Sequence, residues 1–86
     1  MPGQDFKTSL QEFTHARYKA SPSYHLMAES GPGHARHFQV EVRLQDLPLA
    51  QGEGRTKKEA EQRAARLALA ILPGDGAASD KDGAPG

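Results

Sequence analysis

Lys57 and Lys58 stand side by side directly after the run Gly52-Glu53-Gly54-Arg55-Thr56, at the head of a stretch whose apolar residues recur with helical spacing. The free amides and the dipole at such an end make it electropositive, so a cation there costs roughly 0.3–1 kcal/mol. A phosphate reverses the sign, because the helix end and two ammonium groups then converge on one anion. This conflict between helix stability and side-chain choice points to anion binding. A solvated helix surface is the competing reading of the same pair.

Other chemistries fit less well. Gly52 to Lys57 offers glycines, a lysine and a helix start, but a nucleotide-binding P-loop needs GxxxxGK[ST], and no Gly-Lys-Ser/Thr occurs in the chain. His34 and His37 have the spacing of a metal pair but straddle a loop and a strand with no third ligand near, so no metal site is expected. The acids are scattered singly, without the carboxylate cluster that a magnesium-dependent nuclease requires. No catalytic residue and no cofactor are therefore expected in this chain.

The elements that position these residues are legible. Phe6, Leu10 and Phe13 recur at i, i+4 and i+7, which predicts a helix from Asp5 to about Lys19 with that face packed. Thr8, Gln11, Glu12 and His15 fall together on the opposite, exposed face. Ala20-Ser21-Pro22-Ser23 breaks the helix. A strand follows from Tyr24 to Glu29 and a second from His37 to Gln45, the latter with Phe38, Val40, Val42 and Leu44 inward and Gln39, Glu41 and Arg43 toward water. The loop between them, Ser30 to Arg36, is longer than a tight hairpin needs.

Asp46-Leu47-Pro48 predicts a turn, and Leu49 to Gly54 a short third strand in which Gly52 and Gly54 imply close backbone approach. Thr56 with Glu59 forms a capping box, after which Ala60, Ala64, Leu67, Ala68 and Ile71 define the packed stripe of a helix ending at Pro73. The predicted fold is α+β in the order α-β-β-β-α, a three-stranded antiparallel sheet with two helices packed on one face.

The chain has 86 residues, no cysteine, and equal numbers of cations and acids, eleven of each. One small domain without disulfides or thiolate zinc is the expectation. Residues 73–86 carry one lysine against three aspartates, which leaves residues 1–72 with ten cations against eight acids. The domain is expected to span 5–72, with 1–4 a start or foreign segment and 73–86 a tail, both disordered. No stretch is apolar for the ~20 residues a membrane span needs, and no signal-peptide pattern opens the chain, so a cytoplasmic location is expected.

DFKTSLQEFTHARY, SGPGHARHFQVEV and GEGRTKKEAEQRAARLAL, in that order, resemble the double-stranded-RNA-binding domain, most closely the C-terminal one of bacterial ribonuclease III. The resemblance covers about residues 5–72. It implies three RNA-contacting regions. Thr8, Gln11, Glu12 and His15 would enter one minor groove, and Gly31, Pro32, Gly33 and His34 the next. Arg55, Thr56, Lys57 and Lys58, with Gln62 one turn on, would hold phosphates across the intervening major groove.

It also implies a parent nuclease, magnesium-dependent and dimeric through a domain outside this chain, and a binding module that is monomeric in isolation. A-form RNA suits this set, since it asks for short hydrogen-bonding groups in a 2′-hydroxyl-lined minor groove on either side of a cationic site. The family favours KKxAK at the second helix, whereas KKEAE here puts Glu61 at the third basic position, so micromolar or weaker binding is expected. The alternative from another class is the same fold serving protein contact, which Glu61 and the zero net charge favour.

Overall fold

The structure, a computed structural model, describes residues 5–72, and the tail expectations for 1–4 and 73–86 lie outside that range. Helix α1 spans Phe6–Tyr18, strand β1 Ser23–Ser30, β2 His37–Leu44 and β3 Leu47–Gly54, and helix α2 Lys57–Ile71. The strands form one antiparallel sheet in the order β1-β2-β3. Leu10 of α1, Val42 of β2 and Ala64, Ala65 and Ala68 of α2 share one core, so both helices cover the Val42 face, as the pattern predicts.

Asp5 starts α1 because its carboxylate accepts from the Thr8 amide at 3.2 Å and from the Thr8 hydroxyl at 2.7 Å. Lys19 ends the helix in the left-handed region, φ 56°, donating its amide to His15 O. The buried face consists of Leu10 and Thr14, with Phe6 and Phe13 half-buried beside them. Thr14 fits there because its hydroxyl donates to the Gln11 carbonyl one turn back.

The hairpin between β2 and β3 differs from expectation. It turns on Gln45 and Asp46, both at positive φ (52° and 69°), and β3 begins at Leu47 rather than Leu49. Two consecutive left-handed residues give the turn whose twist matches a two-residue hairpin, here without glycine. Pro48 is accommodated because β3 is an edge strand and the register slips between Val42 and Arg43, leaving Leu49 without a partner.

The outer sheet face is less wet than alternation suggests. Glu41 is only 9% exposed, its carboxylate accepting from Arg43 Nε at 2.6 Å and Gln51 Nε2 at 3.2 Å. Those bonds hold its carboxyl below the ordinary range.

Helix α2 packs on the sheet through alanine and glycine. A Cβ on Gly52 would lie 2.5 Å from Ala60 O and closer still to Ala64 N, so only glycine admits the helix at that height. Ala60, Ala64, Ala65 and Ala68 are fully buried, with Leu69 and Leu72 packed on the core. Leu67 and Ile71, expected in the stripe, are 49% and 61% exposed. The segment from Leu67 to Ile71 is apolar on every side, so its periodicity does not set its phase; the close seat of Ala60 and Ala64 on Gly52 does.

Candidate nucleic-acid interface

Thr8, Gln11, Glu12 and His15 line one shallow cleft with Ala16 on the exposed side of α1. The four residues singled out from spacing are thus contiguous in space. Thr8 is also part of the Asp5 cap, so its position is fixed by the start of the helix.

The β1–β2 loop is built rather than loose. Gly31 adopts φ 90°, and a Cβ there would collide with Ala35 O, so glycine is required. Pro32 O then accepts the Ala35 amide at 2.9 Å, closing a single 3-10 turn, Gly33–Ala35, that carries exposed His34. Arg36 and Glu29 clasp the base of the loop at 2.7 Å.

Gly33, His34 and Arg36 line a second cleft together with Phe38, Arg55, Thr56 and Lys57. The loop and the start of α2, far apart in sequence, therefore form one concave surface. Arg36 and Phe38 were not singled out for it: Arg36 is a cation at the end of the loop already under suspicion, whereas Phe38 shares its strand face with Val40 and Val42 and carries no separate signal. Pro32 and Gly31 shape the loop, and Lys58 and Gln62 lie outside this cleft.

The start of α2 is capped internally. Thr56 Oγ1 accepts the Glu59 amide at 3.0 Å, and Glu59 Oε1 accepts the Arg55 amide at 2.6 Å. Arg63 is held by Glu59 at 3.1 Å and by the Glu53 carbonyl at 3.1 Å, and Arg66 lies over the Phe6 ring at 5.7 Å. Lys7, Arg36, Arg43 and Arg63 all have acidic partners, whereas Arg55, Lys57 and Lys58 make no ion pair among the described residues. Three unneutralised cations thus gather at the positive end of a helix dipole.

Gln62, one turn after Lys58, is engaged by the start of α1. Its Oε1 accepts the Phe6 amide at 2.7 Å and its Nε2 donates to Asp5 Oδ1 at 2.8 Å. The Gln62 bond, followed by those from Thr8, holds the Asp5 carboxyl down at about 2. Tyr24 lies nearby, and burial, reinforced by the charges of Glu61 and Asp5, pushes its phenol up to about 12. His37 meets Glu53 at 3.1 Å, not His34. Among the described residues no three His, Cys, Asp or Glu side chains could hold a metal ion, and no helix is long and apolar enough to cross a membrane.

Comparison with known proteins gives this surface its context. Residues 6–72 match the family model described as double-stranded RNA binding motif. Ribonuclease 3 of Pseudothermotoga lettingae is 54% identical over 71 residues, covering 83% of this chain and 30% of the relative. Ribonuclease 3 of Myxococcus xanthus is 48% identical over 73 residues, 85% of this chain and 28% of its own length. The chain thus spans about 30% of the length of these curated relatives. Among solved structures, Arabidopsis HYL1 superposes with a TM-score of 0.66 at 36% identity, over 78% of this chain and 94% of that one. Dicer from Pichia stipitis gives 0.65 at 28% identity, over 79% and 33%. With the helix-sheet-helix order, the capped basic end and the looped cleft all in place along residues 6–72, this chain belongs to the double-stranded RNA binding motif family and is a module for binding double-stranded RNA.

Proposed function

We propose that the chain grips A-form RNA by shape at three places, as the RNA-binding part of a ribonuclease III-like endonuclease. In this reading Thr8, Gln11, Glu12 and His15 meet ribose hydroxyls in one minor groove. The loop from Gly31 to His34 meets the next, in a footprint of about 16 base pairs. Arg55, Thr56, Lys57 and Lys58 neutralise phosphates between them. The observation that carries the reading is the set of unpaired cations Arg55, Lys57 and Lys58 at the start of α2, two of which share a cleft with His34.

Gln11 and Glu12 make the reading specific to RNA, because an amide or carboxylate can bond a 2′-hydroxyl that DNA lacks. Phosphate neutralisation dominates the affinity and makes it salt-dependent without reading base sequence. Cleavage belongs to a separate magnesium-dependent domain of the parent protein, dimeric and cytoplasmic, while this module is monomeric by itself.

Protein contact by a degenerate surface loses one of its two supports, since Glu61, counted in its favour, is turned onto Lys7 of α1. An electrophoretic titration with an RNA duplex of about 20 base pairs, repeated with DNA of the same sequence, tests the proposal. RNA should shift the chain at lower concentration than DNA; equal or absent shifts would overturn it.

A further inference from the structure

Helix α1 packs mainly on α2 rather than on the sheet, so its placement depends on what joins the two helices. Two polar links do so besides the shared core. Lys7 meets Glu61 at 2.5 Å, and Gln62 holds the first residues of α1 with both ends of its carboxamide. The Phe6 amide is one of the donors that a helix start leaves without an intrahelical partner, and Gln62 satisfies it from 56 positions away. The Asp5 carboxylate that Gln62 grips is the cap of α1 and the anchor of Thr8, the first residue of the exposed α1 face. Gln62 itself stands one helical turn after Lys58.

We propose that Gln62 is a positioning residue for RNA binding: it fixes the distance and tilt between the α1 face and the basic start of α2, and does not itself touch the RNA. This role rests on the reading that those two surfaces bind one duplex together. Phosphates and ribose hydroxyls lie at fixed spacings along A-form RNA, so a small tilt of α1 would move Gln11 and His15 off their groove while Lys57 kept its phosphate. Reaching for RNA would require Gln62 to abandon both the Phe6 amide and Asp5, and a neutral amide neutralises no phosphate in return.

The test uses the full chain with Gln62→Met, similar in length but unable to hydrogen-bond, and Gln62→Glu, which keeps an acceptor for Phe6 but sets a carboxylate against Asp5. Affinity for a 20-base-pair RNA would be read by fluorescence anisotropy across a salt series, at temperatures where melting curves show each variant folded. Gln62→Met should bind about fivefold more weakly with the salt slope unchanged, and Gln62→Glu at least as weakly. Added to Gln11→Ala and His15→Ala, which disable the α1 face, Gln62→Met should cause no further loss.

Without RNA, carboxylate NMR should show Asp5 titrating well above about 2 in Gln62→Met. A loss that adds fully to the α1 substitutions would make Gln62 a direct contact and overturn the proposal. Unchanged affinity in both variants would also overturn it. A wild-type chain indifferent to RNA would overturn the functional reading itself, and this role with it, whatever the Asp5 titration showed.

Discussion

Lys7 Nζ lies 2.5 Å from Glu61 Oε1, across the seam between α1 and α2. The acid that interrupts the basic run of α2 therefore belongs to the helix-helix contact, where Lys7 also lies over the Tyr24 ring at 4.9 Å. The pair is partly exposed and adds at most about 1 kcal/mol to stability. Its larger consequence is electrostatic. Glu61 is matched by a cation of its own, so Lys57 and Lys58 stay available to an anion.

Lys57→Ala should weaken RNA binding and lower the slope of log affinity against log salt by about one unit, as loss of one phosphate contact does. Lys57 is exposed, makes no ion pair among the described residues and sits at the positive end of the α2 dipole, so melting should not fall and should rise slightly. Anisotropy titrations between 50 and 200 mM salt measure both effects, and an undiminished slope would remove Lys57 from the interface.

Gln11→Ala should lower affinity for RNA about fivefold while leaving affinity for matched DNA unchanged, because the lost bond is to a hydroxyl only RNA has. Parallel titrations of the two duplexes give the ratio. A constant ratio would exclude minor-groove reading by α1.

Gly52→Ala should destabilise the domain by about 1–3 kcal/mol, since overpacking at this seat must push α2 off the sheet. The added Cβ would meet the backbone of Ala60 and Ala64, which cannot rotate away as a side chain would. Urea denaturation reads the loss directly; an unshifted midpoint would mean that α2 does not sit this close.

Acid should unfold the domain partly through Asp5. Its carboxyl is held at about 2 in the folded chain against an ordinary 3.8, so the folded state binds this proton less readily than the unfolded one. The stabilisation is complete above about pH 4 and is lost as pH falls toward 2. Glu41, lowered by Arg43 and Gln51, acts in the same direction. Asp5→Asn should therefore flatten, without abolishing, the decline in melting temperature between pH 4 and 2. An unchanged acid profile would show that the Gln62–Asp5 bond does not persist in solution.

Most of the element order is local and was legible. Asp5 with Phe6, Leu10 and Phe13 predicts α1, and Thr56 with Glu59 predicts the start of α2, because a cap and a repeat are each written within a few residues. The exposed set Thr8, Gln11, Glu12 and His15 follows from the same repeat. Where local signals were silent or uniform, expectation failed: the turn on Gln45 and Asp46 lacks the usual glycine, and the segment from Leu67 to Ile71 is apolar on all sides.

By itself the sequence determined which elements form, which helix end is both capped and basic, and which α1 residues face outward. Only the tertiary structure decided that His34 and Lys57 share a cleft, that Glu61 turns to Lys7, and that Gln62 answers to Asp5 and Phe6. Those pairings between the helices join residues 54 to 57 positions apart. They arise from the height at which α2 settles on Gly52 and the angle at which α1 then rests on α2, and periodicity within one segment holds no information about either.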